Sequence, residues 1–181
     1  MNVVIFHGWG STSGDNWFSW LRGELEKSGI QTECPDMPDP HYPTEEGWIL
    51  SALKCRIEED TILVGHSLGC LLIMRLLELR KNPIKAAFMV AAFDMNPGIP
   101  EISDFFTKPF RYNKIAANAN IYILNSDNDP YIPFRVADSL AQKLSARLIA
   151  YHNLGHLSAG TGEGRFPELL SMVLDEADKK D

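Results

Sequence analysis

Apolar residues in this chain gather in runs of strand length, and between them an apolar position returns every third or fourth residue. The first run, NVVIF at residues 2–6, predicts a strand. Residues 16–28 read as a helix with Trp17, Phe18, Trp20, Leu21 and Leu25 on the inner side, stopped by Gly29. A short strand is expected at 30–34 (IQTEC). Four prolines from Pro35 to Pro43 then enforce a loop, because proline has no amide for a ladder and clashes inside a helix. Thr44 has the character of an N-cap for a helix running to about Glu58, weakened slightly by Gly47.

The alternation continues with a strand at 61–65 and a helix at 67–80 that is apolar on nearly every side through Leu77, hence centrally buried. Residues 84–92 (IKAAFMVAA) predict another buried strand, and 93–118 read as irregular with a short helix near Ile102–Phe106. A strand at 119–125, a helix at 134–145, a strand at 146–151 and a helix from about Pro167 to Asp178 complete the pattern before a charged tail. No repeat or linker interrupts it, so residues 1–181 are expected to form one domain without a sizeable cap.

Six apolar strands separated by helices imply a three-layer α/β/α architecture around a six-stranded parallel sheet of order 2-1-3-4-5-6. In that order the chain reverses direction between the first and third strands, and ligands bind outside the carboxyl ends of strands at such a point. The peptides that fall there are His7-Gly8-Trp9-Gly10 and Gly65-His66-Ser67-Leu68-Gly69.

The second peptide carries a serine with glycine two residues before and two after, between a buried strand and a helix, which is the pattern of a nucleophile elbow. Ser67 would sit in a strained turn where strand and helix nearly collide, so positions 65 and 69 admit no Cβ. A serine hydroxyl needs an imidazole to take its proton and a carboxylate to orient that imidazole. Sheets of this type supply them in the order Ser, Asp or Glu, His, each on a loop after a strand. After the fifth strand Asp129, stiffened by Pro130 and Pro133, is preferred over Asp127, which suits turn capping. Asp94 after the fourth strand is an outside candidate. After the sixth strand His156 follows a glycine that lets the loop bend back, whereas His152 lies at the strand end. His66 is a poor base because its side chain leaves the strand on the opposite face from Ser67, and His7 and His41 lie in other loops. The backbone amides of Trp9 and Leu68 fall where an oxyanion hole requires donors.

With these residues in place the chain resembles a minimal α/β-hydrolase. More narrowly it is similar to the small, cap-poor serine hydrolases of the retinoblastoma-binding protein nine type. The likeness runs from the first central strand through Gly65–Gly69, the Asp129-Pro130-Tyr131-Ile132-Pro133 segment and Gly155-His156. It implies a triad of Ser67, Asp129 and His156 and an esterase-like activity on small acyl substrates. The mammalian member carries a Leu-x-Cys-x-Glu peptide linked to retinoblastoma-protein binding. Here the peptide is Leu53-Lys54-Cys55-Arg56-Ile57, with isoleucine in place of the acid. Leu53 and Ile57 are instead expected on the buried face of a helix.

Charge and cysteines narrow the setting. A net charge of −7 without a basic cluster opposes nucleic-acid binding. No run is long enough to span a membrane, and the absence of a basic start before residues 2–6 points to a cytoplasmic address. Cys34, Cys55 and Cys70 have neither disulfide nor zinc spacing, and Cys70 reads as a small buried hydrophobe. No motif for metal, nucleotide or flavin occurs, so no cofactor is expected, and no protein partner is assigned. Trp9, Phe105 and Phe106 are expected to border a small apolar acyl cleft, the alternative for the aromatics of residues 99–113 being a cover for the sheet edge. The leading function is hydrolysis of small carboxylic esters, or of thioesters or amides, through an acyl-enzyme. The alternatives are a non-catalytic interaction module on the same fold and an acyltransferase using the same serine.

Overall fold

The computed structural model describes residues 1–179. Its centre is a parallel sheet of six strands, β1 (Asn2–Phe6), β2 (Gln31–Glu33), β3 (Thr61–His66), β4 (Ala86–Val90), β5 (Asn120–Ser126) and β6 (Arg147–Tyr151), in the predicted order β2-β1-β3-β4-β5-β6. Strands β1, β3 and β4 are buried along their whole length, as inner strands covered on both faces must be. Strand β6, at one edge, is half exposed.

Alternate side chains along each strand feed two separate cores. Val4 and Phe6 join the layer under α2 (Glu45–Ala52), α3 (Leu68–Leu79), α4 (Tyr112–Ala116) and α5 (Phe134–Leu144). Val3 and Ile5 join the layer under α1 (Phe18–Lys27) and α6 (Pro167–Asp178), where Trp17, Phe18, Leu21 and Phe166 are fully buried. Among the described residues no helix is long and apolar enough to cross a membrane.

Three expectations change. The helix capped by Thr44, whose hydroxyl accepts from the Gly47 amide at 3.2 Å, ends at Ala52 rather than near Glu58. There the amides of Lys54 and Cys55 turn back to the carbonyls of Ser51 and Ala52 at 3.1 and 3.0 Å, tightening and closing the last turn. Leu53 and Ile57 therefore lie beyond the helix, with Leu53 exposed and Ile57 half-buried. The segment read as irregular holds, besides the expected short helix, which is a 3-10 helix over Pro100–Phe106, the short α4. Helix α3 is not uniformly apolar either, since it buries Arg75 and Glu78.

Arg75 earns its burial by saturating its donors. Its Nε donates to Glu45 Oε2 at 2.6 Å and Nη1 to Glu78 Oε2 at 3.0 Å. Nη2 donates to the carbonyls of Phe105 and Lys108 at 3.2 and 2.6 Å, and Nη1 to that of Pro109 at 3.3 Å. The guanidinium also lies 3.9 Å from the centroid of the Phe110 ring. One side chain thus ties α2 and the strap of residues 100–110 to the central helix. Arg75→Ala would leave two carboxylates and three carbonyls without their donor. A loss of about 3–5 kcal/mol is expected, read as a lowered urea midpoint. Faster amide exchange across residues 100–110 should accompany it.

Candidate active site

The turn between β3 and α3 holds Ser67 at φ 54° and ψ −117°, a conformation an L-residue adopts only under constraint. The constraint is close packing. A Cβ on Gly65 would lie 2.8 Å from the backbone of Gly69 and 2.7 Å from Ile73 Cδ1, and one on Gly69 would strike the carbonyl oxygens of Phe6 and His7. Strand, turn and helix meet with no room for a side chain, which forces the serine outward. The Ser67 amide donates to Val90 O at 2.9 Å, tying the elbow to the end of β4.

His156 lies on the loop after β6 and Asp129 on the loop after β5. The His156 Nδ1 and Asp129 Oδ2 are 2.7 Å apart. The other carboxylate oxygen of Asp129 accepts from the amides of Tyr131 and Ile132 at 2.8 and 3.0 Å. Burial pushes the Asp129 carboxyl upward, but the bond and charge of His156 and the two amides outweigh it, holding the group below its ordinary value. Asp127 is engaged elsewhere. It bonds His152 Nδ1 at 2.7 Å and the Asn153 amide at 3.0 Å, and His152 is largely exposed. Asp94 accepts from the Tyr112 hydroxyl at 2.7 Å and Lys143 Nζ at 2.6 Å.

The remaining histidines are fixed in other tasks. His7 is buried, its Nε2 accepting the Met37 amide at 2.9 Å, so Nδ1 carries the proton and donates to the Gly8 carbonyl at 2.8 Å. The His41 carbonyl accepts from the Trp9 indole at 3.0 Å. His66 is buried beneath the elbow, with its Nε2 3.0 Å from the His156 carbonyl.

Ser67 and His156 line one cleft of about 540 Å³. Its flank on the β1 side is Gly8, Trp9, Gly10, Ser11, Asp15 and Asn16. Its opposite flank is apolar, formed by Phe93, Pro97, Ile99 and Ile102 after β4 and by Ile132 after β5. Leu68 lines the floor beside Ser67. Trp9 lines the cleft and is partly exposed, but Phe105 and Phe106 do not line it. Phe105 is fully buried edge-on against Trp48 at 5.7 Å, and Phe106 stacks on Phe93 at 6.1 Å. The 3-10 helix turns Ile102 and Phe105, one turn apart, to the same inner side.

Two further residues went unnoticed in the sequence. Asn128 Oδ1 accepts from Ser126 Oγ at 2.9 Å and from the Gly155 amide at 2.8 Å, while Ser126 Oγ accepts from the Leu154 amide at 3.0 Å. They stitch the Asp129 loop to the His156 loop. The only signal was the run Ser126-Asp127-Asn128-Asp129, four short polar side chains in succession at a strand end. Among the described residues no cluster of three or more His, Cys, Asp or Glu is arranged to hold a metal ion.

A sheet of this order, a serine elbow after its third strand and a cleft above the elbow define an α/β hydrolase. The family model described as serine hydrolase matches residues 3–175, and the chain belongs to that family. It is 33% identical over 172 residues to YdeN of Bacillus subtilis (strain 168), covering 91% of this chain and 90% of that protein. It is 30% identical over 176 residues to the serine hydrolase RBBP9 of Rattus norvegicus, covering 94% and 91%. The solved structure of the B. subtilis ydeN product superposes with a TM-score of 0.91 over 98% of this chain and 99% of that one, at 30% identity. Est1E from Butyrivibrio proteoclasticus shares the fold, with a TM-score of 0.74 at 17% identity over 98% of this chain and 88% of its own.

Because the folded Asp129 carboxyl titrates below its ordinary value, its contribution to stability is complete above the ordinary carboxylate pKa of about 3.9 and disappears as pH falls through the folded value. The difference in urea midpoint between the native chain and Asp129→Asn should therefore shrink on acidification below about pH 4. A difference that widened there would contradict the lowered pKa.

Proposed function

We propose that this serine hydrolase cleaves small carboxylic esters through an acyl-enzyme on Ser67, with His156 as general base and Asp129 as its orienting carboxylate. The observation that carries this is the 2.7 Å bond from His156 Nδ1 to a carboxylate fixed by two amides, on a cleft shared with the elbow serine. With Nδ1–H committed to Asp129, His156 Nε2 is the nitrogen left to take the Ser67 proton. Ser67 Oγ then attacks the acyl carbon. The oxyanion is held by the amides of Trp9 and Leu68, the latter at a helix N-terminus whose dipole favours negative charge. The imidazolium returns its proton to the departing alcohol, and water, activated by the same nitrogen, releases the acid. No step calls on a cofactor.

The acyl group lies against Phe93, Ile99, Ile102 and Ile132, and the leaving group over the polar flank at Ser11 and Asn16. The chain acts as one catalytic domain, with the strap of residues 100–110 as its largest rim insertion. Thioesters and amides would follow the same steps with a different leaving atom. A cytoplasmic address agrees with three free thiols that burial makes sluggish, Cys34 being pushed up to about 12 and Cys55 to about 11.

Ser67→Ala is expected to abolish turnover of nitrophenyl esters and labelling by a fluorophosphonate. Asp129→Asn should reduce kcat about ten-thousandfold, as loss of the orienting acid does in serine proteases, while Asp127→Asn stays within about threefold of the native rate. The reverse ranking of the two asparagine variants would overturn the assignment of the acid. Failure of the folded chain to label at all would favour a non-catalytic interaction module. Activity should fall as the acyl chain lengthens beyond what a 540 Å³ cleft admits. A strong preference for long acyl chains would count against this substrate class.

A further inference from the structure

His66 takes no part in the chemistry above, yet its burial and bonding point at the same loop. Its Nε2 lies 3.0 Å from the carbonyl oxygen of His156, and because a carbonyl only accepts, that nitrogen carries the proton. Its Nδ1 is buried with no hydrogen-bond partner among the described residues, as befits the bare nitrogen of a neutral ring. Burial first, and the nearby His156 second, hold the His66 pKa down to about 3. The ring therefore remains a neutral donor while its neighbour gains and loses a proton.

The next carbonyl along the loop is held in the same way. Trp17 Nε1 donates to Leu157 O at 2.9 Å, from a side chain with no exposed surface. The Trp17 and His66 rings meet edge-on at 6.1 Å, and His66 meets His156 edge-on at 5.0 Å. The backbone between these anchors is unfavourable on its own. Gly155 and Leu157 stand at φ 58° and 54°, and leucine lacks the freedom of glycine there. A loop bent against its preference needs holding from outside.

We propose that His66 and Trp17 are positioning residues for hydrolysis: two buried donors that grip the consecutive carbonyls of His156 and Leu157 and set the aim of the His156 imidazole. The proposal rests on the triad reading above and adds the pair to it. The bond to Asp129 alone leaves the ring a pivot, free to swing with its backbone. Gripping the carbonyl of His156 itself removes that swing. The groups facing the imidazole are then Asp129 and Tyr131 from the loop after β5 and His66 and Ser67 from the elbow. A misplacement of about 1 Å at such a base costs on the order of a hundredfold in rate, so modest slack would show in kcat.

The test compares two amides at position 66. His66→Gln places its NH₂ at about the reach of the native Nε2, whereas His66→Asn is one methylene too short. The expected result is a kcat about thirtyfold lower in the Asn variant, with KM within about twofold, and recovery of most of the loss in the Gln variant. The proton on His156 Nδ1, followed by NMR, should keep its downfield resonance in the Gln variant and lose or broaden it in the Asn variant. Equal rates in the two variants, or an unchanged His156 resonance in the Asn variant, would overturn the proposal. Should the Asn variant fail to fold, Trp17→Phe removes the second donor and keeps an aromatic ring. It should lower kcat with the same disturbance of the His156 resonance, and no disturbance would refute the clamp. Absence of turnover in the native chain would count against the triad reading alone, because the NMR comparison needs no substrate.

Discussion

Everything at the carboxyl end of this sheet depends on how closely three pieces of backbone approach at the elbow. Gly65 and Gly69 pass each other without space for a methyl group, and Gly69 lies directly against the carbonyls that end β1. This one steric condition has two results. It holds Ser67 in a conformation the chain would otherwise leave, and it brings the Gly8–Gly10 turn beside the serine, where a Cβ on Gly8 would stand 3.1 Å from Ser67 Cβ. The adjacency of the elbow serine and the proposed oxyanion loop is therefore a product of packing between β1, β3 and α3.

The other half of the site is assembled by polar stitching. Strands β5 and β6 are paired with Ser126 opposite Tyr151, which sets their following loops side by side. Short side chains on the first loop then bind amides on the second, Asp127 to Asn153, Ser126 to Leu154 and Asn128 to Gly155. Three successive amides are taken up in order, which fixes where His156 emerges. The two acids divide the two histidines between them, one pair exposed and one buried. Only in the buried pair is the carboxylate shielded from water, where an orienting charge is worth most.

Much of this was legible in the sequence because it follows from local rules. The helix from Pro167 to Asp178 was readable end to end, with proline at its first turn and an apolar stripe behind it. The strand order followed from alternation and handedness, and the elbow at Ser67 and the loops that bring Asp129 to His156 from chain order. What was not legible depends on distant partners. Arg75 drew no notice in a helix read as apolar on nearly every side, since Glu45 and Phe105 each lie 30 residues away along the chain. The pair Phe105 and Phe106 looked like one aromatic patch, but an aromatic doublet does not reveal which member turns inward. Trp17 was placed in the core correctly, yet its bond to Leu157, 140 residues distant, leaves no trace in any local pattern.

The strap that runs past the apolar flank is anchored through main-chain oxygens at Phe105, Lys108 and Pro109. Those bonds are indifferent to side-chain identity, while the Phe110 ring under the guanidinium adds a side-chain contact to the anchor. Ile99 and Ile102, which face the cleft, can thus be exchanged without touching the guanidinium that keeps the strap in place. The cleft wall and the Arg75 anchor fall on separate parts of the same segment, the wall at Ile99 and Ile102 and the anchor at residues 105–110. A lineage built on this fold can retune the first while leaving the second alone.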